Sequence, residues 1–195
     1  MAVIAVHAGR IELGQALREE SLINRAREMD SEAWNSLYTA HHSAIYRYCF
    51  HRLGERTLSE DVAADVFLEA VRGIGRYRYR GIPFRAWLYR IAHNLVADQL
   101  RRKGAAPAAM AVADAPEEAV SEQDFADSVL DQAAIRTALV QLTEDQQQVI
   151  VMRFFEGLAI AEVAAAMGKR AGAIKQLQHR AIGRLRSLLE PGARE

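Results

Sequence analysis

Cysteine is almost missing. Cys49 is the only one in 195 residues, so neither an intrachain disulfide nor a cysteine-cluster zinc site can form. It lies between Tyr48 and Phe50 in a helix-like stretch and reads as a packed thiol, a small hydrophobe. Long apolar runs are missing too. None reaches the roughly 18 residues of a membrane-crossing helix, so no membrane insertion is expected. The opening Met1-Ala2-Val3-Ile4-Ala5-Val6 is apolar, but it lacks a basic start and is broken by His7 and Arg10, unlike a secretion signal. A cytoplasmic protein is expected. Net charge is zero, with 25 Lys and Arg against 25 Asp and Glu. A uniformly basic nucleic-acid coat is excluded, and any charge for binding DNA must be local. No stretch alternates with period two, so strands have no support.

What is present is helical periodicity. Half the residues are hydrophobic, enough to build real cores in one large domain or two small ones. Residues 31–53 place Ala33, Trp34, Leu37, Tyr38, Ile45, Tyr48 and Leu53 at three-to-four spacing, with Gly54 as a C-cap. Residues 58–74 repeat the pattern, and Thr57 and Glu60 have capping-box spacing. Residues 84–102 form a third helix, with Pro83 at its entry. From 104 to 128 large hydrophobes thin out. Asp114, Glu117, Glu118, Glu122, Asp124 and Asp127 follow with no Lys or Arg between them, which reads as an acidic linker. Four more segments, near 129–141, 144–155, 158–167 and 172–189, complete an all-α chain of two lobes. Residues 1–29 are weakly patterned: a short helix or a mobile extension, with Met29 an alternative start.

Charge is segregated. Between Arg72 and Lys103 nine cations stand against one acid, Asp98. The C-terminal segment holds Lys169, Arg170, Lys175, Arg180, Arg184 and Arg186. Two basic surfaces joined by an acidic tether suit a protein that grips DNA at two places. The C-terminal surface has a motif to match. At 160–179, Val163 and Met167 give the first helix an apolar face, and Ala164 is small enough for a close crossing. Gly168 can take a positive φ at the turn, and Ile174 and Leu177 anchor a second helix. This is a helix-turn-helix pattern. Lys169 departs from it, standing where an apolar residue is common. The outward face of the second helix then holds Arg170, Ala173, Lys175, Gln176, His179 and Arg180. Arg and Gln can read base edges, and Lys and Arg near the ends suit phosphates. The plain alternative is a helical hairpin with a basic solvent face.

Residues 76–90 interleave aromatics with arginine, a pattern that suits single-stranded nucleic acid. Rings stack on bases for about 1–3 kcal/mol each, and cations follow phosphates. Gly81 and Pro83 imply a loop, from which Tyr77 and Tyr79 are expected to stand out beside Arg80. Trp87 falls where a helix needs core, with DNA contact as the alternative. Arg90 and Asn94 follow on the same helix. Asn94 is a base-reading candidate or an ordinary solvated residue. Glu60, Asp61 and Asp65 share the helix at 58–74 and form either a solvated face favoured by the helix dipole or a dock for a basic partner. His41, His42 and His51 have no matching Cys or carboxylate motif, so neither catalysis nor a metal or cofactor is expected.

Taken together these segments resemble the sigma factors of bacterial RNA polymerase, in the compact extracytoplasmic-function (ECF) subgroup. The resemblance rests on Ser59-Glu60-Asp61-Val62-Ala63-Ala64-Asp65, on the Phe84-x-x-Trp87-Leu88-Tyr89-x-Ile91-Ala92-x-Asn94 string, and on Leu142-Thr143-Glu144-Asp145 leading into the helix-turn-helix. It implies an N-terminal extension (1–29), region two (30–103), a linker (104–128) and region four (129–190). It further implies that Glu60, Asp61 and Asp65 dock on the clamp of the largest polymerase subunit, with the flap of the second largest as a further partner. Tyr77, Tyr79, Arg80, Arg90 and Asn94 would meet the minus-ten element of promoter DNA. Arg170, Ala173, Lys175, Gln176, His179 and Arg180 would read the minus-thirty-five element. An anti-sigma factor is an implied partner. Ala173 replaces a frequent Thr, and Leu177-Gln178 replace a common Arg-Leu. A stand-alone dimeric helix-turn-helix regulator is the alternative, but it leaves the aromatic-basic block unused.

Overall fold

A computed structural model describes residues 18–78, 83–103, 134–135 and 137–189. The expected linker at 104–128, together with Tyr79 and Arg80, lies outside the described residues. Those described form helices and turns and include no strand. None of these helices is long and apolar enough to cross a membrane.

The first lobe has four helices: α1 (18–27), α2 (Ser31–Leu53), α3 (Arg56–Gly73) and α4 (Phe84–Lys103). Asp30 caps α2 by accepting from the Glu32 and Ala33 backbone N–H groups at 2.9 and 3.2 Å. Gly54, at φ 71°, ends that helix, in the left-handed conformation that costs glycine least. The expected capping box at Thr57 and Glu60 does not form. The helix starts two residues earlier, at Arg56, which puts Thr57 inside the first turn. Ser59 Oγ donates to the Glu55 carbonyl at 2.6 Å, and Glu60 pairs with Arg56 at 3.0 Å. A short 3-10 turn, Ile74–Arg76, follows α3.

The weakly patterned N-terminal stretch belongs to this lobe. Ile23 and Ala26 are buried in the core. The Trp34 indole donates to the Ala26 carbonyl at 3.0 Å, and Arg27 Nη2 donates to the Tyr77 carbonyl at 2.5 Å. The lobe therefore begins before residue 30, and α1 is a packing element.

The second lobe has helical residues 134–135 and 137–140 (α5), then α6 (Glu144–Ile150), α7 (Ile160–Met167) and α8 (Ala171–Leu189). Thr143 caps α6 in a reciprocal box with Gln146, which fixes the loop-to-helix entry. The segment expected as one helix over 144–155 divides: after Ile150 it widens into a π-turn, Val151–Phe155. Gly168 takes φ 64° between α7 and α8, as the turn requires.

The two lobes are not beads on a string. Their buried residues form one continuous core. Helix α4 packs on α7, and α2 packs on the π-turn.

Candidate nucleic-acid interface

Helix α8 has two sides. Ile174 and Ala181 are completely buried against α6 and α7, which turns the opposite face to solvent. Arg170, Ala173, Lys175, Gln176, His179 and Arg180 are all exposed there. Val163 and Met167 are buried on α7, with the small Ala164 beside them. The departure at Lys169 has a structural reason: its ammonium pairs with Asp145 of α6 at 3.0 Å, tying the turn to the neighbouring helix. Gln178 turns inward and accepts from Arg153 Nε at 3.3 Å, so it is not part of the outer face.

The first lobe presents a groove of about 370 Å³ between α3 and α4, lined by Glu69, Arg72, Arg76, Trp87, Ile91 and Asn94, among others. Asn94 and Arg90 are exposed on α4. The half-buried Trp87 divides its surface between core and groove, which agrees with the core reading. Gly73 allows the close approach of its ring: a Cβ there would stand 3.2 Å from Trp87 Cζ2. Arg72 is held over the groove rim by Glu69 at 2.7 Å.

Tyr77 corrects an expectation. It is 6 % exposed and does not stand out from the loop. Its ring meets Phe84 edge-on at 5.5 Å and Trp87 at 5.1 Å. Aromatic clusters of this geometry favour burial over solvent, so Tyr77 supports the groove wall from inside. Tyr79 and Arg80, the next loop candidates, lie outside the described residues.

On α3 the apolar side, Val62, Ala63, Val66 and Phe67, is buried, and Glu60, Asp61 and Asp65 are exposed. Leu68, 53 % exposed, extends the same stripe as Asp61 and Asp65, because positions seven apart share a helix face. Sequence reading passed over Leu68, whose signal was an apolar residue in register with the acids. Nearby, Tyr38 is exposed and stacks on His42 at 4.6 Å and against Phe67 at 4.8 Å.

His41 and His51 are also in packing contacts. His41 lies 5.7 Å from the Phe84 ring, and burial pushes its pKa down. His51 is buried with its ring edge-on to Phe155 at 5.0 Å. Cys49 is buried, and desolvation pushes its thiol up to about 12, which makes it a poor nucleophile.

The main residues that sequence reasoning missed lie between the lobes. Arg85 of α4 grips Glu162 of α7 with two bonds, Nε to Oε1 at 2.5 Å and Nη2 to Oε2 at 2.6 Å. Burial raises the Glu162 pKa, but the Arg85 bonds, the Ala159 N–H and nearby cations outweigh it and hold the carboxyl below its ordinary value. Arg52, 1 % exposed, donates to Gln147 Oε1 at 2.6 Å. Gln148 donates to the Tyr48 hydroxyl. Tyr89 donates to Glu156 at 3.0 Å, and Arg47 reaches the same oxygen at 3.4 Å.

Comparison with known proteins agrees with this layout. The chain matches the Sigma-70 region 2 family over residues 37–106 and the Sigma-70 region 4 family over 138–187. It is 38% identical over 179 residues to the ECF RNA polymerase sigma factor BldN of Streptomyces coelicolor, spanning 91% of this chain and 68% of that protein. It is 32% identical to ShbA of Streptomyces griseus over 87% of this chain and 94% of that one. SigD of Mycobacterium tuberculosis is 34% identical over 88% and 84%. Among solved structures, CnrH in complex with the cytosolic domain of CnrY superposes with a TM-score of 0.64 at 24% identity, covering 88% of this chain and 96% of that one. RpoE of Bartonella quintana with the anti-sigma factor NepR gives 0.62 at 23% identity, over 81% and 97%. Both family matches fall in order on one chain, one on each lobe, and a relative 38% identical spans 91% of this chain. The chain belongs to the ECF sigma factors of RNA polymerase.

Proposed function

We propose that this sigma factor brings core polymerase to promoters by dividing DNA recognition between its lobes. The exposed face of α8, from Arg170 to Arg180, enters the major groove at the minus-thirty-five element, where Arg and Gln read base edges. The groove lined by Asn94, together with Arg90, Tyr79 and Arg80, holds the separated strand of the minus-ten element. Capturing an unstacked base there stabilises the open duplex. Glu60, Asp61 and Asp65, with Leu68 in the same stripe, dock on the clamp of the largest polymerase subunit, and the second lobe meets the flap of the second largest. An anti-sigma factor restrains the chain when it is not needed. The protein works in the cytoplasm beside polymerase and performs no bond chemistry of its own.

The observation that carries this reading is the pairing, on one chain, of a groove lined by Arg72, Arg76 and Asn94 with a separate cationic face on α8. A stand-alone dimeric regulator has no use for the first. Genome-wide run-off transcription with core polymerase tests it. New transcripts sharing two upstream elements are expected only when the protein is added. A transcript set unchanged by the protein overturns it.

A further inference from the structure

Helix α1 reaches past its own packing into the wall of the first-lobe groove. Arg27, its last residue, donates from Nη2 to the Tyr77 carbonyl at 2.5 Å, 50 positions along the chain. Asn24, one turn back, aims the guanidinium by accepting from Nη1 at 2.8 Å. Tyr77 is where the 3-10 turn at Ile74–Arg76 gives way to extended backbone, at φ −61° and ψ 133°. The peptide unit is planar, so holding this carbonyl holds the direction in which the chain leaves the turn. The carbonyl already has another donor. Arg78 Nη1 reaches it at 3.0 Å and the Gly75 carbonyl at 2.8 Å, from within the same turn. A carbonyl oxygen has two lone pairs, and the acceptor is satisfied without Arg27. Nor does the guanidinium gain stability from burial. Its buried Nε has no hydrogen-bond partner, and a buried unpaired donor costs free energy. What the Arg27 bond adds is a tie between α1 and the turn.

That tie acts on the groove through three rings. Tyr77 lies 5.1 Å from Trp87 and 5.5 Å from Phe84, and Phe84 lies 5.4 Å from Trp87. Trp87 lines the groove. It is also hemmed in by Gly73, where an added Cβ would stand 3.2 Å from Cζ2. Interiors packed this closely transmit strain. A shift at Tyr77 therefore passes to the Trp87 ring, and so to the shape of the groove.

We propose that Arg27 is a positioning residue for the minus-ten groove: its bond to the Tyr77 carbonyl sets the Tyr77 ring and, through it, the Trp87 surface beside which the separated strand is held. The role rests on the assignment of that groove to the separated strand. Arg27 itself touches no DNA.

The test uses the full chain. Arg27→Met keeps an unbranched side chain without the donors, and Arg27→Lys keeps the charge and a donor. Asn24→Ala, at an exposed position, removes the aim of the guanidinium and leaves the core alone. Trp34 and Trp87, the two tryptophans of the chain, are replaced by fluorotryptophan, and the Trp87 resonance is assigned with Trp87→Phe. In the free protein Arg27→Met is expected to move that resonance while the urea midpoint stays close to the parent's. Joined to core polymerase, the variants are offered a single-stranded oligonucleotide carrying the minus-ten segment of a promoter found by run-off transcription. Arg27→Met is expected to bind it about tenfold more weakly, within the range that one stacked base is worth. Arg27→Lys and Asn24→Ala are expected to fall between it and the parent. The dependence of binding on salt is expected to keep the parent's slope, because no phosphate contact is lost. An unmoved Trp87 resonance, an unchanged affinity in Arg27→Met, or a flatter salt slope, which would make Arg27 a phosphate contact, overturns the proposal. A parent complex that ignores the oligonucleotide overturns the groove assignment and the proposal with it, so the parent's own binding tells the two failures apart.

Discussion

The Tyr89 hydroxyl donates to a carboxylate oxygen of Glu156 at 3.0 Å across the seam between the lobes, and the Glu156 side chain is 1 % exposed. Burial raises the Glu156 pKa above its ordinary value, and the charge of Arg47 and the bonds from Tyr89 and Arg47 only partly oppose the rise. The folded carboxyl thus holds its proton to a higher pH than the unfolded one does. Its contribution is full below the ordinary carboxylate range and is lost as pH rises through the raised value. Glu156→Gln removes that loss and keeps an acceptor for Tyr89. The variant is expected to melt higher than the parent at pH 7, with the difference shrinking toward pH 4, in thermal scans across that range. Glu162 has the opposite sign. Its carboxyl is held down by Arg85, so its contribution is present at neutral pH and lost as pH falls through the lowered value.

Helix α1 is expected to stabilise the first lobe. Ile23 is 3 % exposed. Ile23→Ala removes buried methyl groups and leaves a cavity, costing about 3 kcal/mol. Removal of residues 1–28 should cost more, since Trp34 and Tyr77 also lose partners. Urea midpoints of the three proteins measure this; an unchanged midpoint for Ile23→Ala would contradict the placement of α1 in the core.

On α8 the inner and outer glutamines should behave differently. Gln176 is exposed on the outer face, whereas Gln178 is turned toward Arg153. Gln176→Ala or Arg180→Ala should lower transcription about tenfold or more on a promoter that needs its minus-thirty-five element, because a good base-edge contact is worth about 1–3 kcal/mol. Gln178→Ala should have little effect on the DNA dependence. Run-off yields on promoters with and without the upstream element separate the two.

At the first-lobe groove, Asn94→Ala and Tyr79→Ala should impair strand opening more than initial complex formation. The residues are assigned to the separated strand, not to the duplex. Permanganate reactivity of unpaired thymines reads opening, and filter retention reads the complex. Equal loss of both would contradict the assignment. Tyr77→Leu serves as a contrast. It empties an aromatic site between Phe84 and Trp87 and should lower the melting temperature as well as activity.

Much of this architecture is legible in the sequence, for local reasons. Helix α2 runs over the residues its apolar period and Gly54 predict, and the inner and outer faces of α8 follow from Ile174, Leu177 and the turn at Gly168. The failures are also physical. Tyr77 reads as outward because a short loop between arginines has no period to assign a side, and only Phe84 and Trp87 on the next helix decide it. Helix α1 is weak in pattern because few of its residues meet the core. The seam is illegible for a different reason. Arg85 and Glu162 are 77 positions apart, and Tyr48 and Gln148 are 100 apart. Each looks, on its own helix, like a polar residue bound for water. Only the docking of α4 on α7 makes them partners.

Association with polymerase itself is the most direct measurement. The purified full-length chain is mixed with bacterial core enzyme and resolved by size, alongside Asp61→Arg and Asp65→Arg. Stoichiometric co-elution of the parent protein, reduced at least tenfold in affinity by either reversal, is the expected result. A parent chain that elutes alone at micromolar concentrations of both components would contradict it.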